Sequence, residues 1–500
     1  AAAEVLMRPS AHGDVVHSRP VAINYAATAN APAQVVVFYG GNDGMLRAVN
    51  GNRESAADGI SFSGKGPGEE FWSFVAPESY GLFERLKANT PLIKFANVVD
   101  GEPKEYGFDG PMTAYKTSSQ AWLYATMRRG GRMLYAFDVT DPSSPSLKWR
   151  AGCSSQDDDL SCTDSDFTGI GQTWAVPVVI KSAGYTDDTG NTKPMLIMGA
   201  GYDRCEDDDP DSCDGDSKGH AIYVLDAASG DVLNTFDSSD VVGAMGGVIG
   251  DVTVVKDGNG LAEYAYAADL SGNVYRISGG VNAPIGSVAP GAWEITKIAS
   301  LGGSDSNARK FFFGPDVVVD NGVNYILLGS GDREKPTLDF PEAADVQNDF
   351  FMIKDQPTNA SWLSSEYGAC EANLFCMDSL YPILLADDTP SQSLLDAKKG
   401  WYLQLDSSEQ VVTSALTIFG TVYFSTHQPD TGLSEGSCSA QLGETRAYAI
   451  SYKNAEGKDG ERYTDLVGDG LPPSPVAGLV TLDNGDTVPF CIGCSGASPL

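Results

Sequence analysis

A short pattern recurs along the chain and limits what it can fold into. It is an apolar run that contains an aromatic or β-branched residue and ends in Asp, Asn, Ser or a turn. The pattern occurs at 44–50, 133–138, 221–226, 272–277 and 446–451. Alternate residues of such a run can face opposite sides of a strand, and the terminal polar residue can open a turn. The pattern predicts short β-strands joined by turns.

The rest of the chain agrees with an all-β fold. Further apolar runs bounded by turn residues lie at 34–39, 195–198, 324–328 and 421–425, and the 56 glycines supply turn positions. One helix is expected at 77–88. A four-stranded unit that repeats with variable insertions is typical of a β-propeller, and an array of β-sandwiches is the alternative. Because the spacing of the repeated pattern varies from about 45 to about 90 residues, the blades are expected to be irregular, with long loop insertions.

Charge and hydropathy exclude several classes of partner. Against 33 Lys and Arg the 500 residues carry 67 Asp and Glu, a formal net charge of −34. Nucleic acids and anionic membrane surfaces are themselves polyanions, so binding to either is not expected. Since the chain has no run of about 18 apolar residues, insertion into a membrane is not expected either.

The cysteines indicate an oxidising compartment. Six of the nine form three couples close in sequence, each around a short polar loop: Cys153 and Cys162, Cys205 and Cys213, Cys370 and Cys376. Such loops predict surface disulfides in an exported protein or a fragment of one, with any signal peptide removed or upstream. A zinc site is the weaker alternative, because the chain has one CxxC and only four His. The pairing of Cys438, Cys491 and Cys494 stays open.

Five segments in order resemble the C-terminal β-propeller domain of the PilC/PilY family of type IV pilus tip and biogenesis proteins. They lie at 12–20 (HGDVVHSRP), 37–50, 127–142, 265–276 and 329–336 (GSGDREKP). The resemblance implies an irregular, seven-bladed propeller similar to that of quinoprotein dehydrogenases. It also implies export to the pilus tip, cell surface, periplasm or outer membrane of a Gram-negative bacterium.

The function implied by this resemblance is support of pilus assembly against retraction, together with surface adhesion and twitching motility. The implied partners are type IV pilins, minor pilins, and a host or abiotic surface. The implied organisation is a single propeller over 1–500 that forms the C-terminal part of a longer exported protein. Residues 1–30 would then be an entry segment that closes the propeller, and 460–500 a C-terminal tail packed on it.

The resemblance also implies a calcium loop. In the family a loop of the form Asp-x-Asp-x-Asp-x-x-x-Asp precedes a strand that the Asp269 segment matches, which places the loop at 255–263. Its ligands would be the side chains of Asp257, Asn259 and Glu263 and the carbonyl oxygen of Leu261. Ca²⁺ takes six to eight oxygen ligands, and a terminal Glu suits it.

Two features of this loop weaken the interpretation. Val255 stands where the family has its first Asp. Asp251 or water could replace that ligand, but its loss should weaken binding. The Asp-Gly-Asn-Gly stretch is by itself a strong hairpin signal. The acidic loops at 156–166 and 203–216 offer a second calcium site, with a solvated acidic surface as the alternative.

No catalytic motif is found in the sequence. A Gly-x-Ser-x-Gly elbow, a Walker loop and His-Glu-x-x-His are all absent, and His12, His17, His220 and His427 have no neighbour at metal-binding spacing. The alternative function is a periplasmic, calcium-containing, quinone-dependent dehydrogenase, which the blade pattern also resembles. The adjacent cysteine pair of that family is missing here, so the chain is expected not to be an enzyme.

Overall fold

A computed structural model describes residues 13–26, 33–52, 64–94, 101–214, 216–304, 308–366, 370–429, 443–467, 470–481 and 487–494. Strands dominate these residues, with three short α-helices: α1 (Leu82–Ala88), α2 (Pro341–Asp345) and α3 (Gln392–Asp396). The chain divides into two compact units. The first comprises Ala1–Val179, Pro194–Tyr202 and Leu225–Val232; the second comprises Ile180–Lys193, Asp203–Val224 and Leu233–Leu500.

The first two sheets are four-stranded antiparallel meanders in which each strand pairs with the next. Their strands are β1 (Val21–Asn24), β2 (Val35–Gly40), β3 (Met45–Asn50) and β4 (Glu70–Val75), then β5 (Met112–Lys116), β6 (Ala121–Thr126), β7 (Arg132–Asp138) and β8 (Ser146–Cys153). The third sheet has the order β12-β11-β10-β9, built from β9 (Val178–Ile180), β10 (Met195–Gly199), β11 (Ala221–Asp226) and β12 (Val232–Asp237).

Three more sheets, the last two with five strands each, and a hairpin follow. The fourth sheet contains β13 (Thr253–Lys256), β14 (Ala262–Ala268), β15 (Asn273–Ser278) and β16 (Glu294–Ser300). The fifth has the order β17-β18-β19-β21-β20, from β17 (Asp316–Asp320), β18 (Val323–Gly329), β19 (Asp349–Asp355), β20 (Tyr381–Leu384) and β21 (Gly400–Gln404). The sixth contains β22 (Gln410–Val411), β23 (Leu416–Ile418), β24 (Thr421–Gln428), β25 (Glu444–Ser451) and β26 (Tyr463–Asp465). Finally, β27 (Val476–Thr481) pairs with β28 (Thr487–Ile492).

The recurring sequence pattern marks one position in these sheets. Counted from the strand that comes first in the chain, β3, β7, β11, β15 and β25 each hold the third place of their sheet. This is an inner strand, and β7, β11 and β15 are buried along almost their whole length. A strand that is covered on both faces favours an apolar run over strict alternation. The terminal Asp opens a turn as expected: Oδ1 of Asp138 accepts the amide of Thr140 at 2.9 Å, and Oδ1 of Asp226 accepts that of Ala228 at 2.6 Å.

Layers of aromatic side chains fill the space between neighbouring sheets of the same unit. In the second unit Phe350 of β19 stacks on Phe424 of β24 in the next sheet, with ring centroids 3.9 Å apart. Within that sheet Phe424 also stacks on Tyr448 of the adjacent strand β25, at 4.6 Å. Burial of such a side chain stabilises the fold by about 1.5–3 kcal/mol. In the first unit Phe74 packs edge-on against Phe137 at 5.0 Å.

The expected strands and helix are present. Each apolar run named above overlaps a strand, and the predicted helix at 77–88 is found as α1, preceded by a 3₁₀ turn at Pro77–Ser79. The roles assigned to residues 1–30 and 460–500, like the single propeller over 1–500, stay predictions.

Candidate functional site

Three of the four predicted calcium ligands lie in the turn that joins β13 to β14. Oδ1 of Asp257 accepts the backbone amides of Asn259 and Leu261, each at 2.8 Å. The Asp257 amide donates to the carbonyl oxygen of Leu261 at 2.8 Å. The hydrogen bond from the Leu261 amide lowers the pKa of the Asp257 carboxyl. Gly260 has φ of +79°, a conformation that favours glycine. Three of the four predicted ligands therefore belong to one self-closed turn.

The remaining positions lie on the flanking strands. Glu263 follows on β14, where the register shifts, and Val255 is buried in the core of the second unit. Two carboxylates, an amide oxygen and a carbonyl suit Ca²⁺ in type. They are fewer than the six to eight ligands that Ca²⁺ takes, and the Leu261 carbonyl already accepts a hydrogen bond. Water would have to complete the set, so calcium binding stays a prediction.

Disulfides close the acidic loops. The three predicted couples are confirmed as Cys153–Cys162, Cys205–Cys213 and Cys370–Cys376. Cys491 pairs with Cys494, while Cys438 lies outside the described residues.

A buried arginine organises the first of these loops. Arg132, at the start of β7, is 1% exposed. Its Nε donates to the carbonyl of Ile170 at 2.6 Å, its Nη1 donates to the carbonyls of Ser155 and Asp158, and its Nη2 donates to Asp159. Within the described residues, one group of three His, Cys, Asp or Glu has its ligand atoms close together: Cys153, Asp159 and Cys162. Its two sulfurs form the disulfide, and the guanidinium of Arg132 already binds Asp159, so this loop offers little to a metal.

The second acidic loop forms one wall of a cavity of about 110 Å³ in the second unit. Asp209 and Asp211 line it from the loop. Asp332, just after β18, also lines it, together with Lys310 and Lys335. Both lysines are largely buried. The 203–216 segment is therefore only partly a solvated acidic surface, since its carboxylates pair with lysines from elsewhere in the chain.

Ion pairs connect these groups. Nζ of Lys310 lies 2.5 Å from Oε2 of Glu206, 3.6 Å from Oδ2 of Asp211 and 3.7 Å from Oδ2 of Asp332. Burial by itself lowers the pKa of Lys310, but the nearby charges of Asp332 and Glu206 outweigh it, so the pKa is raised. Nζ of Lys335 lies 3.9 Å from Oδ1 of Asp209. Burial raises the pKa of Asp332 to about 6, against the opposing effect of the two lysines.

The histidines have structural surroundings. Nδ1 of His17 lies 2.7 Å from Oδ2 of the fully buried Asp109, whose other oxygen accepts Nδ2 of Asn42 at 3.2 Å. His427 is buried on β24, and His12 lies outside the described residues.

The sequence alone does not indicate that Lys310 and Lys335 lie together among buried carboxylates. Asp332 and Lys335 lie in the 329–336 motif, but the amino-acid sequence of this motif does not show that their side chains are buried. Lys310 and Glu206 are 104 residues apart, and no local pattern links residues so distant.

Comparison with known families identifies the family to which this fold belongs. A family model described as the PilY1 beta-propeller domain matches residues 16–286, more than half of the chain.

The chain belongs to the PilY1 β-propeller family.

Named relatives agree with this membership. The type IV pilus biogenesis factor PilY1 of Pseudomonas aeruginosa PAO1 is 25% identical over 301 residues, which are 55% of this chain and 21% of the relative. A PilY1 homolog of Xylella fastidiosa is 23% identical over 462 residues, 81% of this chain and 25% of the relative. The chain thus spans about a fifth to a quarter of the length of these PilY1 relatives.

A solved structure shares the fold. The crystal structure of the Pseudomonas aeruginosa PilY1 C-terminal domain matches with a TM-score of 0.58 at 17% identity, covering 92% of this chain and 91% of that chain. The predictions of an all-β propeller and of a PilY1-type C-terminal domain are confirmed. The seven sheets of the described residues, six of them with four or five strands, are compatible with seven blades.

Proposed function

We propose that this chain is the propeller part of an exported type IV pilus biogenesis factor. In this role it would support pilus assembly by opposing retraction, and it would contribute to surface adhesion and twitching motility. One observation carries the proposal: the PilY1 propeller match over residues 16–286, together with relatives that are named for pilus biogenesis. The proposed partners are pilins and minor pilins at the pilus tip or cell surface, and a host or abiotic surface.

Deleting the propeller from the native protein is expected to leave cells with few or no surface pili and without twitching. The reason is that retraction would then be unopposed. The measurement is the number of pili per cell by electron microscopy, in strains with and without the retraction motor. Return of pili when the motor is also absent supports the proposal. Cells without surface pili in both strains would mean that the propeller does not act by opposing retraction.

Calcium binding by the β13–β14 turn is the regulatory part of the proposal. Oxygen donors on Asp257, Asn259, Leu261 and Glu263 support it, and the incomplete set suggests an affinity typical of extracellular modules, about 10⁻⁴–10⁻³ M. When bound, the ion would hold the turn in one conformation and bias the propeller between states that stabilise and release the pilus.

Calorimetric titration of the whole chain with CaCl₂ tests this prediction. Asp257→Asn and Glu263→Gln are each expected to abolish saturable binding at the turn. Asp187→Asn is the matched control, because Oδ1 of Asp187 likewise accepts the amides of Thr189 and Asn191 in an exposed turn. Equal calcium affinity in all three variants and the parent chain would place any binding elsewhere.

We further propose that the chain acts without catalysis. The relatives are named as pilus biogenesis factors, which supports this proposal. The alternative, a quinone-dependent dehydrogenase, predicts a bound chromophore. Absorbance of the purified protein in the visible range would overturn the non-enzymatic proposal.

A further inference from the structure

The cavity of the second unit combines charged and apolar walls. Its charged side chains are Asp209, Asp211, Lys310, Asp332, Lys335 and Glu342. Its apolar side chains are Pro210, Ala308, Ala343 and Val346. Pockets for drug-sized ligands are about 300–1,000 Å³. At about 110 Å³ this cavity has room for a single side chain rather than for a cofactor or a folded segment.

The charges favour a cationic occupant. Four lining carboxylates face two lysines, and Glu206, which pairs with Lys310, adds a fifth carboxylate. Lys310 already has three carboxylates within 4 Å, and Lys335 lies 3.9 Å from Asp209 and 4.0 Å from Asp332. An anion would meet these carboxylates, so the lysines do not form an anion site. A divalent metal would lie close to two buried ammonium groups, whose positive charges repel it and which cannot coordinate it.

A separate observation points to a hydrogen-bond donor. Asn348 lines the cavity and is 2% exposed. Its Nδ2 donates to the carbonyl of Val346 at 3.3 Å, whereas its Oδ1 has no hydrogen-bond partner among the described residues. A buried acceptor without a partner carries a desolvation penalty that a ligand N–H can remove. Gln410, which also lines the cavity, is satisfied: it accepts from the Asp332 amide and donates to the Lys335 carbonyl.

We propose that this cavity binds the basic side chain, lysine or arginine, of a partner polypeptide. The aliphatic stem of such a side chain packs on the apolar wall, and its N–H groups bind the carboxylates of Asp211 and Glu342 and the free acceptor of Asn348. Lys and Arg combine an apolar stem and a charged head in one group, which matches both parts of the cavity. Binding at this cavity is a property of the chain alone and does not depend on the pilus role.

Ligand-observed NMR titration of the whole chain tests the proposal with blocked amino acids. Nα-acetyl-lysine N-methylamide and its arginine counterpart are expected to bind. The norleucine counterpart, which keeps the stem and lacks the charge, should bind at least about tenfold more weakly. Affinity for the lysine probe should fall as NaCl rises from about 50 to about 500 mM. Equal affinity for the norleucine probe, or no binding of the lysine probe at about 10 mM, would overturn the proposal.

Substitutions locate the binding. Asp211→Asn combined with Glu342→Gln changes two exposed residues and should weaken the lysine probe at least about tenfold. Asp216→Asn removes one charge from the same loop away from the cavity and should leave its affinity unchanged. Unchanged affinity in the double variant would place the site elsewhere.

A free diamine, cadaverine, is a further probe of the same cavity. If it binds more tightly than the blocked lysine, the ligand is a small amine and not the side chain of a partner polypeptide.

Discussion

Replacing Asp355 with alanine is expected to lower the free energy of unfolding of the second unit by about 3–5 kcal/mol. Asp355 ends β19 and is fully buried. Nη1 of Arg276, on β15, lies 2.8 Å from its Oδ1, and the hydroxyl of Tyr266 donates to its Oδ2 at 2.7 Å. Nδ2 of Asn324 donates in turn to that hydroxyl at 2.7 Å. Without Asp355 the guanidinium of Arg276, 5% exposed, would stay buried without its counter-ion.

Hydrogen exchange of the β15 and β19 amides measures this loss. At about 3–5 kcal/mol the most protected amides should exchange faster by a factor of about 10²–10⁴. Asp320→Ala is the matched control, because its ion pair with Lys453 is exposed and should contribute little. The double replacement Arg276→Met, Asp355→Leu should recover much of the loss, since it leaves no buried charge. Equal protection in the Asp355 and Asp320 variants would contradict this account of the pair.

The Arg132→Met variant is expected to free the loop at 154–169 and to cost the first unit about 3–5 kcal/mol. Methionine keeps the apolar stem but removes every hydrogen bond that the guanidinium donates to this loop and to Ile170. The carbonyls of Ser155, Asp158 and Ile170 would then lose a buried partner, and Asp159 would lose its cation. The disulfide Cys153–Cys162 would remain but could not replace these hydrogen bonds.

Limited proteolysis and the thermal midpoint together report this change. Cleavage should appear within 154–169 before any other described segment of the first unit is cut. Arg150→Met is the control, because Arg150 is 44% exposed and lies 3.4 Å from Glu78, so its loss should cost no more than about 1 kcal/mol. An Arg132 variant as resistant to protease as the control would show that the disulfide alone holds the loop.

The sequence predicted the strands well because several sheets bury an inner strand along almost its whole length. The recurring apolar run of β7 or β11 is a direct consequence of that burial, and the following Asp or turn residue is dictated locally. β19 belongs to the same third position, yet its terminal Asp355 serves a buried ion pair instead of a turn. Its partner Arg276 is 79 residues away, a distance that no local pattern spans.

The site was only partly predictable, for a related reason. The turn at 257–261 was located by its position before the Asp269 segment, as the family resemblance implies, and its Asp-Gly-Asn-Gly stretch is a local signal of a turn. The cavity depends on Lys310 and Lys335 meeting a loop that lies about a hundred residues earlier. Lysine in a sequence is ordinarily a surface residue, and only the folded chain shows that these two are largely buried.

The disulfides have a mechanical consequence. Each of those described joins cysteines at most nine residues apart, and none connects one sheet to another. A chain pulled from its ends lengthens by about 3.3–3.6 Å for each residue released, and a bridge shields only the residues that it encloses. Resistance to tension therefore rests on the strand ladders and aromatic layers. Reducing the disulfides would leave the force needed to extend the sheets nearly unchanged.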